Sequence, residues 1–398
     1  MLNTPFPPWP SYSEEEADAA RAVLLSNAVN YWTGNECRQF EKEFAEWTGV
    51  RHAIAVSNGT VALEAALHAA QIGPGDDVIV TPRTFMASVS CVVTAGARPV
   101  FADVDPDTQN MTAESIAGQL TPASKAIICV HLAGMPCDMD PIMELVADKN
   151  LLVIEDCAQA HGARYKGRSV GSIGHIGAWS FCQDKIMTTG GEGGMLTTND
   201  PEFWSRMWSY KDHGKSWDTV CEKQHPPGFR WLHDSFGTNG RMTEMQAAIG
   251  RIQLRRMDEW TSARRENARR ILEKAAELPG LRVPGCPPWA EHAEYKCYVF
   301  VDSGALAKGW DRDRIMAAIC SRGVPCFSGI CPEVYKEAAF VDSGLAPAMQ
   351  LPVARELGET SLMFLVHPTL AHEHIDKTCD VLSEVMKQAC RSAAKQTR

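Results

Sequence analysis

Apolar residues fall into two rhythms along this chain. Over 13–28 and 36–48 they recur at helical spacing, with Phe40, Phe44 and Trp47 on one face of the second segment. Residues 60–72 (TVALEAALHAAQI) read as an alanine-rich helix that begins just after Asn58–Gly59. Short, nearly continuous apolar runs also occur, at 77–81, 99–103, 126–131, 151–155, 178–182 and 194–198. Such runs suit strands covered by helices on both faces; strict alternation would mark a strand with one wet face. Helices alternating with strands of this kind predict an α/β domain with a largely parallel sheet. From about residue 243 the helical pattern runs on through TEMQAAIGRIQLRRMDEWTSARRENARRILEKAAEL and predicts one long helix. Turns at 279–288 follow. A strand at 297–301 and helices at 311–321 and 372–390 then predict a smaller α+β unit. The expected division is a large domain over 1–250, including the N-terminal helical segment, and a small domain over 251–398.

Bulk composition narrows the function. The chain has 398 residues, which is ample for a large domain plus a smaller one. Its net charge of −10, from 39 basic and 49 acidic residues, argues against nucleic acid as a main partner. No apolar run approaches the ~18–20 residues that span a bilayer. The opening MLNTPFPPWPSYSEEE lacks the basic flank and apolar core of a secretory signal, so a cytoplasmic protein is expected. The 14 cysteines are scattered, without a C-x-x-C pair. Buried reduced thiols are the expected state and a metal site is not expected.

Chemistry concentrates in a few places. Residues 178–200 (AWSFCQDKIMTTGGEGGMLTTND) set Lys185 between a strand-like run and a glycine cluster. LLVIEDCAQAHGA (151–163) delivers Asp156 at the end of another apolar run, where α/β sheets place their sites. A lysine for imine formation and an acid against a pyridine nitrogen are what pyridoxal phosphate requires. The plainer readings are a solvated loop lysine and an acid capping the next segment. Gln159 could reach a ring hydroxyl or be an exposed amide. Ser57-Asn58-Gly59-Thr60 opens a helix, and its backbone N–H groups could hold phosphate, as could the Ser180 hydroxyl. Phe85 could stack over a flat ring or belong to a core. In FGTNGRMTEMQAAIG (236–250), Asn239 and Arg241 could meet an anion, or the segment is a turn capped by Thr243.

Taken together, these segments resemble the DegT/DnrJ/EryC1/StrS family of sugar aminotransferases, which depend on pyridoxal phosphate and have the fold type I (aspartate-aminotransferase-like) architecture. The resemblance runs from about residue 30 to about 380. Its anchors are 56–82, 99–111, 131–142, 153–163, the Lys185 segment and 237–250. It implies that Lys185 forms the Schiff base, that Asp156 faces the pyridine nitrogen and that Gln159 partners the ring hydroxyl. It also implies that Phe85 stacks on the ring and that Gly59, Thr60 and Ser180 cradle the phosphate. Asn239 matches an asparagine that reaches the phosphate from the second subunit, which implies a homodimer with shared sites.

The implied reaction moves an amine from L-glutamate or L-glutamine to a keto-sugar carried on a nucleotide diphosphate. The setting is the synthesis of lipopolysaccharide, other cell-surface polysaccharide or a secondary metabolite. Family members that are dehydratases resemble the pattern with histidine at the lysine position, and this chain has lysine. A cyclitol or carbocyclic ketone in antibiotic synthesis is the alternative substrate, and a non-enzymatic regulator that kept the fold is the alternative role. Three features depart from the family pattern. Arg83 stands where a small or aromatic residue is usual, able to contact a substrate carboxylate or phosphate or to point into solvent. Cys157 replaces a common alanine. The stretch 204–236 is unusually aromatic and could line the substrate pocket.

Overall fold

The structure, a computed structural model, describes residues 5–390; positions 1–4 and 391–398, the outer ends of the two expected domains, lie outside the described residues. Helices α1 (Glu14–Ser26) and α2 (Glu36–Thr48) open the chain. A seven-stranded sheet follows, built from β1 (His52–Val56), β2 (Asp77–Val80), β3 (Arg98–Phe101), β4 (Ser124–Val130) and β5 (Leu152–Asp156). The two-residue strands β6 (Arg164–Tyr165) and β7 (Arg168–Ser169) intervene before β8 (Ile176–Ser180) and β9 (Gly194–Thr198) complete it. The strand order is β1-β9-β8-β5-β4-β2-β3. Strands β3, β2, β4, β5 and β8 are parallel, while β9 runs against both its neighbours, β1 and β8.

Helices cover both faces, as the continuous apolar runs require. Along β4, Ala126, Ile128 and Val130 join a core shared with α2 and with α3 (Gly59–Ala69). The alternate residues Ile127 and Cys129 join a second layer with Ile116 and Ile142, from α5 (Ala113–Ala117) and α6 (Met139–Val146). Helices α4 (Ala87–Thr94) and α7 (Pro201–Lys211) flank α3. The helical face read from the sequence holds up in α2. Phe40 and Phe44 are fully buried, and the Phe44 ring packs edge-on against Trp179 of β8 at 5.2 Å.

The single long helix expected from residue 243 is two helices, α8 (Glu244–Arg255) and α9 (Met257–Ala276). They part at Arg256, a turn residue whose backbone lies at the margin of the helical region (φ −93°, ψ −3°) and whose guanidinium pairs with Glu15 and Glu16 of α1. Both helices bury one face, so the apolar pattern runs through the break and hides it. Met257 and Trp260 of α9 join the large core, and Ala268, Ile271 and Ala275 join a separate one.

That second core lies on an antiparallel sheet of order β10-β12-β14-β13, made of β10 (Leu281–Arg282), β12 (Cys297–Val301), β13 (Cys326–Phe327) and β14 (Ser361–Phe364). The intervening β11 (Ala290–Glu291) pairs instead with β6. Helices α10 (Arg312–Cys320), α11 (Ala338–Asp342), α12 (Pro352–Thr360) and α13 (His372–Ala389) fill out this region. Sequence-read elements lie within a few residues of those observed. The helix read over 60–72 stops at Ala69 because Gln71 turns left-handed (φ 57°).

Candidate active site

The carboxyl-end edge of the parallel strands gathers most of the residues singled out above. At the end of β1 the chain turns through Ser57 into α3, capped by Asn58, whose side-chain oxygen accepts from Val61 N at 2.9 Å. The first-turn N–H groups of Gly59 and Thr60 have no place in the helix's own hydrogen-bond ladder. Glycine at 59 is a packing requirement: a Cβ there would lie 2.6 Å from Cβ of Ser180, at the end of β8. The Ser180 Oγ accepts from Cys182 N at 3.3 Å, which leaves its O–H free to donate. Helix N-terminus and hydroxyl thus converge on one spot suited to an anion.

Asp156 ends β5, beside Ala178 of β8, and is buried. Its Oδ2 accepts from the Ser88 hydroxyl at 2.7 Å and its Oδ1 from Ala158 N at 3.1 Å. The plainer reading of Asp156, a local backbone cap, is therefore met by one oxygen while the other faces Ser88. With its proton on Asp156, Ser88 must accept from Thr84 Oγ1 at 2.8 Å. This relay fixes the segment that presents Phe85, whose ring is 61% exposed and so not part of a core. Gln159 is buried rather than an exposed amide. Its oxygen accepts from Ala133 N at 2.9 Å, which leaves its NH₂ to donate elsewhere.

Lys185 enters from the loop between β8 and β9. It is half-buried, with Nζ 5.3 Å from the centre of the Tyr295 ring. The Tyr295 hydroxyl donates to Asp184 at 2.5 Å. Burial pushes the Asp184 carboxyl up, but the Lys185 cation and that hydroxyl outweigh it and leave it lowered. Burial drives Lys296 down to about 8 and His161 down to about 3, with the Lys185 charge adding in both cases.

Other expectations shift. Arg83 does not point into solvent. It is fully buried, with Nε donating to Gln109 Oε1 at 3.1 Å and its guanidinium 5.5 Å from the Tyr298 ring centre. The aromatic stretch 204–236 divides in two. Trp204 and Trp208 lie on α7 and pack with Trp217 around the large core, whereas Phe229, Trp231 and Phe236 are exposed. Asn239 is exposed, and its run is fastened beside the same chain's β1 by the bond from Ser57 N to Gly240 O at 2.8 Å. Arg241 pairs with Asp212, and Thr243 caps α8 as the plainer reading had it.

Three residues had no sequence signal. Ser88 and Ala133 touch the site only through the fold. Glu155 lies beside Asp156 yet is fully buried, accepting from His131 Nε2 at 2.9 Å, from Gly171 N and Ile173 N at 2.8 Å, and from Gly174 N at 2.6 Å. His131 Nδ1 accepts from Cys137 N at 3.0 Å, so its Nε2 carries the proton. With Cys157, these two residues set three ligand-type atoms within 4.8 Å of one another. Protein hydrogen bonds occupy those atoms, and the cluster reads as a structural knot behind the sheet.

The family model described as the DegT/DnrJ/EryC1/StrS aminotransferase family matches residues 10–383. The chain belongs to this family. It is an aminotransferase. Its fold superposes on the X-ray structure of the aminotransferase from Psychrobacter cryohalolentis with a TM-score of 0.95 and 63% identity, over 96% of this chain and 99% of that one. This aminotransferase is 39% identical over 355 residues to the GDP-perosamine synthase of Caulobacter vibrioides, covering 87% of this chain and 89% of the relative. It is 35% identical over 363 residues to the UDP-N-acetyl-3-dehydro-alpha-D-glucosamine 3-aminotransferase of Acidithiobacillus ferrooxidans, covering 91% and 92%.

Proposed function

We propose that this aminotransferase uses pyridoxal phosphate to move an amine from L-glutamate or L-glutamine to a keto-sugar carried on a nucleotide diphosphate. The observation that carries the reading is the close approach of Gly59 to Ser180 beside buried Asp156. It pairs an anion cradle, which a Cβ at position 59 would fill, with a carboxylate suited to a pyridinium. The residues fit the cofactor. When bound, the cofactor supplies a carbonyl that takes up the donor's amine and a ring that accepts the electron pair released at the α-carbon.

The chain's own residues do the rest. Gly59 and Thr60 N–H groups and the Ser180 hydroxyl bind the phosphate. Asp156 holds a proton on the ring nitrogen, Gln159 donates to the ring hydroxyl, and Phe85 covers one ring face and keeps water off it. The Lys185 amine carries the proton between the donor's α-carbon and the cofactor carbon, as base and then as acid. A second subunit's Asn239 completes the phosphate site, so the working unit is a homodimer with shared sites. Among the described residues no helix is long and apolar enough to cross a membrane, in keeping with a cytoplasmic enzyme. We read the chain as a large cofactor domain to about residue 250 and a small domain beyond it.

The test is a panel of nucleotide-linked keto-sugars and one cyclitol ketone, each incubated with glutamate and with glutamine and read by product mass. An amine gain on a nucleotide-linked sugar is expected. Amination of the cyclitol alone would replace the substrate class.

A further inference from the structure

The backbone of Lys185 is held by a group far away in sequence. The indole N–H of Trp9 donates to the Lys185 carbonyl oxygen at 2.7 Å. On the amide side the lysine makes a local turn bond, from its N to the Cys182 carbonyl at 3.1 Å. Trp9 is itself fixed from several directions. It packs edge-on against Trp260 (centroids 5.0 Å) and nearly parallel to His367 (5.9 Å), with the Arg264 guanidinium 4.9 Å from its ring centre. One residue upstream, the Thr369 hydroxyl donates to the Pro8 carbonyl at 3.2 Å. Phe6 then packs on the second core and lies edge-on to His374 at 5.2 Å. Residues 6–9 therefore run from the core of the small antiparallel sheet to the loop that bears the lysine.

An aromatic side chain that merely filled space would not need its one polar atom aimed at this carbonyl. The orientation of a peptide plane sets the direction of the adjoining Cα–Cβ bond, and a long side chain magnifies any rotation at its tip. Small misplacements of a reacting group cost rate steeply. We infer that Trp9 is a positioning residue for Lys185, and that the N-terminal arm holds the lysine's backbone in the orientation that proton transfer needs. This rests on the reading of Lys185 as the cofactor lysine.

Trp9→Phe keeps the ring and removes the donor, while Trp9→His restores a ring N–H at smaller size. In the cofactor-loaded Trp9→Phe protein, kcat should fall about tenfold, with KM for the amino donor within about twofold of wild type. The pH midpoint of the bound cofactor's absorbance should move by about half a unit or more. Hydrogen exchange should quicken in the 184–187 peptide, and Trp9→His should recover part of each change. Wild-type exchange and midpoint in Trp9→Phe would overturn the inference, as would losses that Trp9→His shares in full. Thr369→Val provides a second route should Trp9→Phe fail to fold, because it frees the Pro8 anchor and leaves the indole in place. It should shift exchange and midpoint the same way, and no shift would again overturn the proposal. Borohydride reduction and peptide mapping separate the two levels. Cofactor on another lysine sinks the assignment of Lys185, whereas cofactor on Lys185 with an unmoved midpoint sinks only the role of Trp9.

Discussion

Glu155 and Asp156 are neighbours on β5, and the pleat sends them to opposite faces of one sheet. Behind the sheet, Glu155 meets three backbone amides and a histidine. In front, Asp156 meets one hydroxyl and one amide at the end of the strand. Burial pushes the Glu155 carboxyl up, but the His131 hydrogen bond and the backbone amides outweigh it and hold it below its ordinary range. Every lone-pair direction on the rear carboxylate serves the fold, whereas the forward carboxylate keeps capacity for something else. In this pair, stability and chemistry differ by how completely a carboxylate's hydrogen bonds are used up.

The sharpest test of that contrast is Asp156→Asn. The change is nearly isosteric, so melting should stay close to wild type. Turnover should fall by orders of magnitude, equivalent to roughly 4 kcal/mol of barrier or more, because the charge that would hold the ring nitrogen protonated is gone. Near-normal turnover in the steady-state assay would break the comparison at its front half.

Glu155→Gln should show the reverse. An amide turns N–H groups toward backbone donors and leaves His131 without its acceptor. Denaturant unfolding should report a loss of roughly 3 kcal/mol, with kcat of the surviving folded fraction little changed. The same variant carries a pH signature. A carboxylate whose folded pKa is depressed adds stability that is complete above its ordinary value of 4.5 and is lost as pH falls through the folded pKa. Wild-type stability should therefore drop across that acid window, and Glu155→Gln should flatten the drop.

Gly59→Ala probes the front again, more mildly. The added Cβ must push Ser180 aside, so cofactor affinity measured by titration should weaken about tenfold while the sheet stays intact. Ser88→Ala should do least. It removes one hydrogen bond to Asp156, and roughly 1 kcal/mol is expected, read as a few-fold drop in kcat.

This contrast also marks what could be read beforehand. Asp156 was legible because it closes an apolar run, and the sheet puts such ends together. Lys185, Ser180 and Gly59 were legible through residue type and neighbouring glycines. Glu155 sits in the same run and was invisible as a distinct case, since its partners come from 131 and 171–174, and sequence spacing does not encode which face a strand residue takes. The break at Arg256 was hidden for a similar reason, since α1 carboxylates stabilise a turn inside an unbroken apolar pattern. The strand β1, HAIAV, escaped notice because five residues with one histidine carry too little pattern of their own. Arg83 failed the solvent reading because its cover, Gln109 and Tyr298, comes from distant elements.

The reversed direction of β9 has a consequence for how the lysine loop assembles. A parallel successor to β8 would need a crossover to the far end of the sheet. Running back instead, β9 closes residues 181–193 into a return whose ends meet at the Ser180–Gly194 pair. Such a closure joins residues close in sequence, so its entropic cost is modest, and contacts of short separation are the ones that form fast. The same Gly194 also pairs with Val56, just before the turn into α3. The loop bearing the lysine can thus be closed before the rest of the site arrives. The hydrogen bond from Trp9 to the same loop, by contrast, spans 176 residues of sequence and carries the larger closure cost.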